Sequence, residues 1–187
     1  MSTLPSTLGP TLETARLILR PPMREDFEAY AATLADAETA RFIGGVSPPE
    51  AAWRAFASMV GSWVLQGFGA FTVIEKETGA RIGRVGPLQP LGWPGTEVGW
   101  TLARPFWGKG YAGEAATAAI DWAFGTLGWS DVIHCIEPAN APSIAVATRL
   151  GSVKLRSQHL PPPFADTLCD IYGQSREQWR ARRRRAD

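Results

Sequence analysis

Residues Glu97 to Glu114 read EVGWTLARPFWGKGYAGE. Glu97 to Leu102 has the composition of a strand, Pro105 holds a short turn, and Gly108 to Gly113 form a glycine loop that opens a helix. Such a loop leaves the first N–H groups of the helix without backbone partners. With the helix dipole they make an anion site, and glycine lets a phosphate come close to the backbone. A tight turn with no ligand fits the glycines equally well.

Gly108-Lys109-Gly110-Tyr111-Ala112-Gly113 formally matches G-x-G-x-x-G, and Glu137 lies roughly where a ribose-binding acid would fall. The context argues against a dinucleotide fold. That fold needs its glycines directly at the end of an apolar strand, whereas Arg104-Pro105-Phe106-Trp107 intervenes here, and proline does not continue a central strand. Further parallel βα units are also needed, and only 50 residues follow Glu137. A Walker A loop fails because glycine, not Ser or Thr, follows Lys109.

Upstream of this stretch, residues 1–13 read as irregular. Arg16 to Arg20 has strand composition and ends at Pro21-Pro22. Asp26 to Ala40 reads as one amphipathic helix with Phe27, Tyr30 and Leu34 at helical spacing. A second helix opens at Ser47-Pro48-Pro49-Glu50, with serine as cap and proline in the first turn, and stops at Gly67 and Gly69. Ala70–Glu75, Arg81–Leu88 and Glu97–Leu102 are three strands joined by short turns, hence antiparallel.

Downstream the pattern changes. Ala112 to Leu127 reads as a helix whose apolar face is Ala116, Ile120, Ala123, Phe124 and Leu127. Asp131 to Ile136 is a strand, and the strand–helix–strand order makes it a parallel neighbour of Glu97–Leu102. A helix from Pro142 to Leu150, strands Val153–Ser157 and Leu168–Tyr172, and a closing helix from Ser175 complete the chain. The expected architecture is α+β in a single domain of residues 1–187. Its central sheet is mostly antiparallel, with one parallel βαβ crossover and flanking helices.

The 187 residues suit one core, and a net charge of +1 gives no global reason to expect DNA or another nucleic acid, or a membrane surface. The exception is local: Arg180 and Arg182 to Arg185, read as a solvated helix end, with an RNA or ribosome contact as the alternative. Cys135 and Cys169 form no C-x-x-C pair and no His/Cys cluster, so no metal is expected. Two reduced thiols and no membrane-length apolar run read as a soluble cytoplasmic protein. The oligomeric state stays open, with a homodimer among the options.

Glu97-Val98-Gly99-Trp100, followed by Trp107 to Ala115, resembles the acetyl-CoA motif of the GNAT acetyltransferase superfamily. Within it, the stretch is similar to the branch of ribosomal-protein N-terminal acetyltransferases. Thr14 to Arg20 looks like that branch's opening strand. Pro138 to Ser143, with Arg149-Leu150-Gly151, resembles its N-x-x-S…K-x-G-F segment. The matches run from about residue 14 to 151, with a weaker echo at Asp170–Gly173. Ser152 replaces the usual phenylalanine, and Ala147 stands where most of the superfamily has a tyrosine acid.

The resemblance implies an N-acetyltransferase that passes an acetyl group from acetyl-CoA to a primary amine, on a protein N-terminus or a small molecule. Lys109 to Gly113 (Lys109, Gly110, Tyr111, Ala112, Gly113) would hold the pyrophosphate, and Trp107 and Gly108 would also belong to the cofactor site. The strand residues Trp100, Thr101 and Leu102 would pair with the pantetheine arm. A backbone amide of that strand, exposed by a bulge, would face the thioester oxygen. Asn140 would reach pantetheine or merely cap the next helix.

For a base that takes the amine proton, Glu97 is the first candidate and His134 the second. Each also has a purely structural reading. Ser143 would hydrogen-bond or protonate the departing thiolate, or fill the first turn of its helix. Phe42, Trp53, Trp63, Phe68 and Trp93 are acceptor-side aromatics, mostly packing, with one or two lining the acceptor pocket. A non-catalytic acyl-CoA-binding or regulatory module is the alternative to an enzyme. A nucleotide-dependent oxidoreductase is a third class.

Overall fold

The computed structural model describes residues 8–184. Residues 1–7 of the expected irregular N-terminus and Arg185 of the arginine tail lie outside them. Eight strands form one sheet: β1 (Leu12–Glu13), β2 (Leu17–Arg20), β3 (Phe71–Glu75), β4 (Arg81–Leu88), β5 (Glu97–Leu102), β6 (Asp131–Ile136), β7 (Val153–His159) and β8 (Leu168–Ser175). Their spatial order is β1-β2-β3-β4-β5-β6-β8-β7. Among the described residues only β5 and β6 run parallel; every other neighbouring pair is antiparallel. The expected α+β sheet with one βαβ crossover is thus observed.

The helices are α1 (Phe27–Ala35), α2 (Ala37–Ala40), α3 (Pro49–Gln66), α4 (Tyr111–Gly125), α5 (Ala141–Arg149) and α6 (Arg176–Arg183). Helix α4 makes the crossover. Ala115, Ala116, Ala119, Ile120 and Ala123 are fully buried on its inner face. The four alanines let it lie close on β4 and β5. Trp63, Phe71 and Trp122 fill the space beside it, with ring centroids 4.9–5.8 Å apart.

Four details correct the expectations. Residues 12 and 13 are not irregular but pair with Leu19 and Ile18. The helix expected from Asp26 to Ala40 is broken at Asp36, whose backbone is extended and whose carboxylate accepts the Thr39 N–H at 2.9 Å, capping α2. Helix α3 is entered through Pro48 with no side-chain cap, so Ser47 does not cap it. Helix α4 begins one residue earlier than expected, at Tyr111, and ends at Gly125 rather than Leu127.

The register between β4 and β5 is continuous from Gly83–Leu102 to Leu88–Glu97, so the expected bulge in β5 is absent. The opening lies on the other side of the strand. Strands β5 and β6 pair through Glu97 and Ile133 alone, and then part.

Candidate active site

The parting of β5 and β6 opens a cleft with about 1010 Å³ of empty space, its solvent-facing mouth included. Antiparallel pairing turns backbone groups alternately to one neighbour and the other. Val98, Trp100 and Leu102 therefore turn theirs toward β6. Pro87, opposite Val98, has no N–H and costs the ladder nothing there. The Val98 carbonyl accepts from His134 Nδ1 at 2.6 Å, and the Leu102 carbonyl accepts from the Trp107 indole at 2.6 Å. The N–H and C=O of Trp100 between them face the gap.

Glu97 is buried in this cleft, at 5% exposure. Its Oε1 accepts the Cys135 N–H at 3.0 Å and its Oε2 accepts the Trp93 indole N–H at 2.5 Å. Burial pushes its pKa above the usual carboxylate range, against the pull of those two donors. Both the burial and the direction suit a base that works near neutral pH.

His134 is also buried, at 1% exposure, and burial lowers its pKa to about 4. The ring is therefore neutral near pH 7. Nδ1–H donates to Val98, and Nε2 accepts from the Ser152 hydroxyl at 3.0 Å. Gln174 in turn donates to Ser152 Oγ and to the Leu150 carbonyl. Both ring nitrogens are thus engaged in a chain that ties β5 to the turn after α5. Ser152, standing where a phenylalanine was expected, is part of that chain.

Asn140 caps α5, its Oδ1 accepting the Ser143 N–H at 3.2 Å. The Ser143 hydroxyl oxygen accepts the Trp100 indole N–H at 3.3 Å, and its own proton points to no protein partner among the described residues. Asn140, Ser143, Trp100 and Thr101 all line the cleft. Of the five aromatics expected on the acceptor side, Phe42 and Trp93 line it. Trp63 is core, Trp53 packs on Phe27, and Phe68 packs on Trp129.

The glycine loop lies at the N-terminus of α4. Gly108 and Gly110 have φ of 75° and 81°, a left-handed backbone that glycine takes without strain. Gly110 caps the helix with no side-chain bond, which leaves the first-turn N–H groups of Tyr111 to Gly113 free of side-chain caps. A Cβ on Gly108 or Gly113 would meet nothing within 4 Å. Gly113 therefore has no packing reason to be glycine, and it weakens the helix. An anion pressed against the backbone supplies a reason, so the loop fits a pyrophosphate.

The side chains of the loop serve other ends. The Tyr111 hydroxyl donates to Glu75 at 2.6 Å from a buried position. Trp107 is half-exposed, with its indole spent on Leu102. Lys109 Nζ stands 5.1 Å from the centre of the Phe106 ring.

Two supports escaped the sequence. Glu114 accepts from Thr14, the Arg16 N–H and the Arg16 guanidinium at 2.6–2.9 Å, and Arg16 also donates to the Lys109 carbonyl. This clamp turns one loop carbonyl outward, and its partners are 93 to 100 residues apart. Arg84, the other residue missed, also lines the cleft. A charge in the middle of the central strand RIGRVGPL was the available signal.

A sheet parted after its single parallel pair, next to a glycine loop on a helix N-terminus, defines an acyltransferase-type fold. The family model described as acetyltransferase (GNAT) domain matches residues 16–153. An uncharacterized N-acetyltransferase of Bacillus licheniformis, p20, is 32% identical over 77% of this chain and 83% of its own length. The crystal structure of an acetyltransferase from Agrobacterium tumefaciens is 34% identical and superposes with a TM-score of 0.78, covering 94% of this chain and 99% of its own. The ribosomal-protein-S5-alanine acetyltransferase of Vibrio fischeri shares the fold at 21% identity and a TM-score of 0.71, covering 90% and 98%. The chain belongs to the GNAT acetyltransferase family. No helix among the described residues is long and apolar enough to cross a membrane.

Proposed function

We propose that the protein transfers an acetyl group from acetyl-CoA to a primary amine, by direct attack within a ternary complex. The observation that carries this reading is the buried Glu97 carboxylate, in a cleft that opens where β5 and β6 part. Acetyl-CoA supplies the acetyl thioester when bound. The N–H groups of Tyr111, Ala112 and Gly113, with the loop from Gly108, hold its pyrophosphate. The gap-facing N–H and C=O of Trp100 hold the pantetheine arm as a neighbouring strand would.

Glu97 takes the proton from the amine at Oε1 or Oε2, directly or through one water. The Trp93 indole and the Cys135 N–H fix the carboxylate for that task. A backbone N–H of the Trp100–Leu102 segment stabilises negative charge that develops at the thioester oxygen. The Ser143 hydroxyl, held by Trp100, hydrogen-bonds the departing sulfur, which leaves as the thiolate, and Glu97 gives its proton up to solvent. His134, neutral and engaged at both nitrogens, keeps the Val98 carbonyl in place and takes no proton. Direct transfer also leaves Cys135 no nucleophilic role, since burial and Glu97 push its pKa far up.

The acceptor is a protein N-terminus or a small amine, met in the cytoplasm where Cys135 and Cys169 stay reduced. Release of free CoA with a panel of amines tests the reading. Turnover with one or more amines supports it. CoA binding with no turnover would make the protein an acyl-CoA-binding module, and failure to bind CoA at all would sink both.

A further inference from the structure

We propose that Arg84 binds a carboxylate in the cleft, so that the amine acetylated by this protein carries an acid group. This rests on the acetyl-transfer reading above and names its acceptor class.

Arg84 stands opposite Thr72 on β3 and Thr101 on β5. Strand alternation puts Arg84, Thr101 and Glu97 on one face of the sheet. Arg84 lines the same cleft as Glu97, and its charge acts on that carboxylate. Between the two, Gly86 and Gly99 face each other across β4 and β5. Phe71 packs beside Gly86, and the Glu97 carboxylate lies back over Gly99, toward Arg84, where a Cβ would stand 3.5 Å from its Oε1. A compact amino acid, whose amine and carboxylate sit on one carbon, can then turn its amine toward Glu97 and its acid toward Arg84 in the same cleft.

The protein does not satisfy Arg84 itself. Its Nε is buried with no hydrogen-bond partner, and among the described residues its guanidinium makes no ion pair. The acids near it are already engaged. Asp26 accepts twice from Arg20 and once each from Arg81, Thr72 and the Met23 N–H. Those five donors exceed the roughly four lone-pair positions of a carboxylate. Glu97 accepts one bond at each oxygen, from Trp93 and from Cys135, and none from Arg84. The residue as a whole is partly exposed, so its terminal nitrogens reach the cleft, and the planar fork of a guanidinium matches a carboxylate with two parallel bonds.

The test compares phenylalanine, leucine and methionine with their primary amides and their decarboxylated amines, reading free-CoA release. The parent chain is expected to favour each acid over the matching amine by about ten- to a hundredfold in kcat/KM, the worth of a charge-assisted pair. Arg84→Gln, with a circular dichroism spectrum like the parent's, brings that ratio close to one, and Arg84→Lys keeps part of it. Equal kcat/KM for acid, amide and amine in the parent chain overturns the proposal, as does a preference that survives Arg84→Gln. The parent series alone decides the matter if the variants do not fold. Should no amine be acetylated, the acetyl-transfer reading falls separately, and the same acids are titrated against tryptophan fluorescence. Binding that depends on Arg84 upholds the carboxylate site; binding indifferent to Arg84, or none, removes it.

Discussion

The Glu97 carboxylate accepts the Cys135 backbone N–H at 3.0 Å, just past the one pair, Glu97 and Ile133, that joins β5 to β6. The acid thus sits at the hinge of the opening, fixed from the far strand, while burial raises its pKa. Only the ionised form takes a proton, so kcat/KM is expected to rise with pH through that raised value. Glu97→Gln keeps the shape and one acceptor oxygen but has no basic carboxylate. It should lower turnover by about 10²- to 10⁴-fold and erase the acid limb of the profile. CoA affinity, measured by calorimetry, should change little. A limb that persists in the variant would assign the proton transfer elsewhere.

Gly113→Ala separates ligand binding from folding. The position is helical, and an added Cβ meets no protein atom within 4 Å. Alanine should raise the stability of the free protein by about 0.5–1 kcal/mol, from helix propensity alone. The same methyl group occupies the space in which a pyrophosphate would meet the backbone, so CoA affinity should fall. Opposite movement of the melting temperature and the affinity is the signature. Affinity equal to that of the parent would place the anion away from the first turn of α4.

The loop and the crossover were legible because their signals are local: glycines at a helix start, and a helical period between two strands. The break at Asp36 was legible in principle, since Asp36 and Thr39 have the spacing of a cap. The cleft was not. It depends on where two parallel strands stop pairing, and no residue type marks that point. His134 was ambiguous for a related reason. Alternation along β6 said that it and Cys135 face opposite sides, but its partners, Val98 and Ser152, are brought together only by the tertiary fold. Arg20, Asp26, Thr72 and Arg81 likewise form one cluster from positions up to 55 residues apart from Asp26.

The burial of neutral His134 predicts a stability loss in mild acid. Its pKa falls from 6.5 to about 4 in the fold. The unfolded chain binds the proton first, so its contribution is complete above pH 6.5 and is lost as pH falls from there to about 4. A shift of that size corresponds to roughly 3 kcal/mol. Asp26 and Asp170, with depressed pKa values, lose their contributions from the ordinary carboxylate range downward, while Glu97, with a raised one, gains stability as pH falls through the His134 window, so the His134 part is read as the difference between parent and variant. Urea midpoints at closely spaced pH values should show the parent losing stability relative to His134→Gln between pH 6.5 and 4.5. A difference that does not change with pH would mean that the ring is hydrated in the fold.

Asp26 holds β2, β3 and β4 together in a small cavity that Arg84 also borders, and removing its charge tests how dry that cavity is. It is 2% exposed, joined to Arg20 at 2.7 and 2.8 Å, to Thr72 at 2.9 Å and to Arg81. Burial alone would favour its neutral form, but the Arg20 pair, the Met23 N–H, Arg81 and Thr72 outweigh it and hold the carboxyl below its usual range. Asp26→Asn preserves the shape and strands two guanidiniums. Breaking a buried pair from one side costs about 3–5 kcal/mol, and the lower figure applies because Arg81 is one-third exposed. The double variant Asp26→Asn/Arg20→Met should recover part of that loss, since it also removes one of the stranded charges. Urea denaturation at pH 7 reads both. A single-variant loss under about 1 kcal/mol, as for an exposed pair, would show that water reaches the cluster and that Arg84 beside it is screened as well.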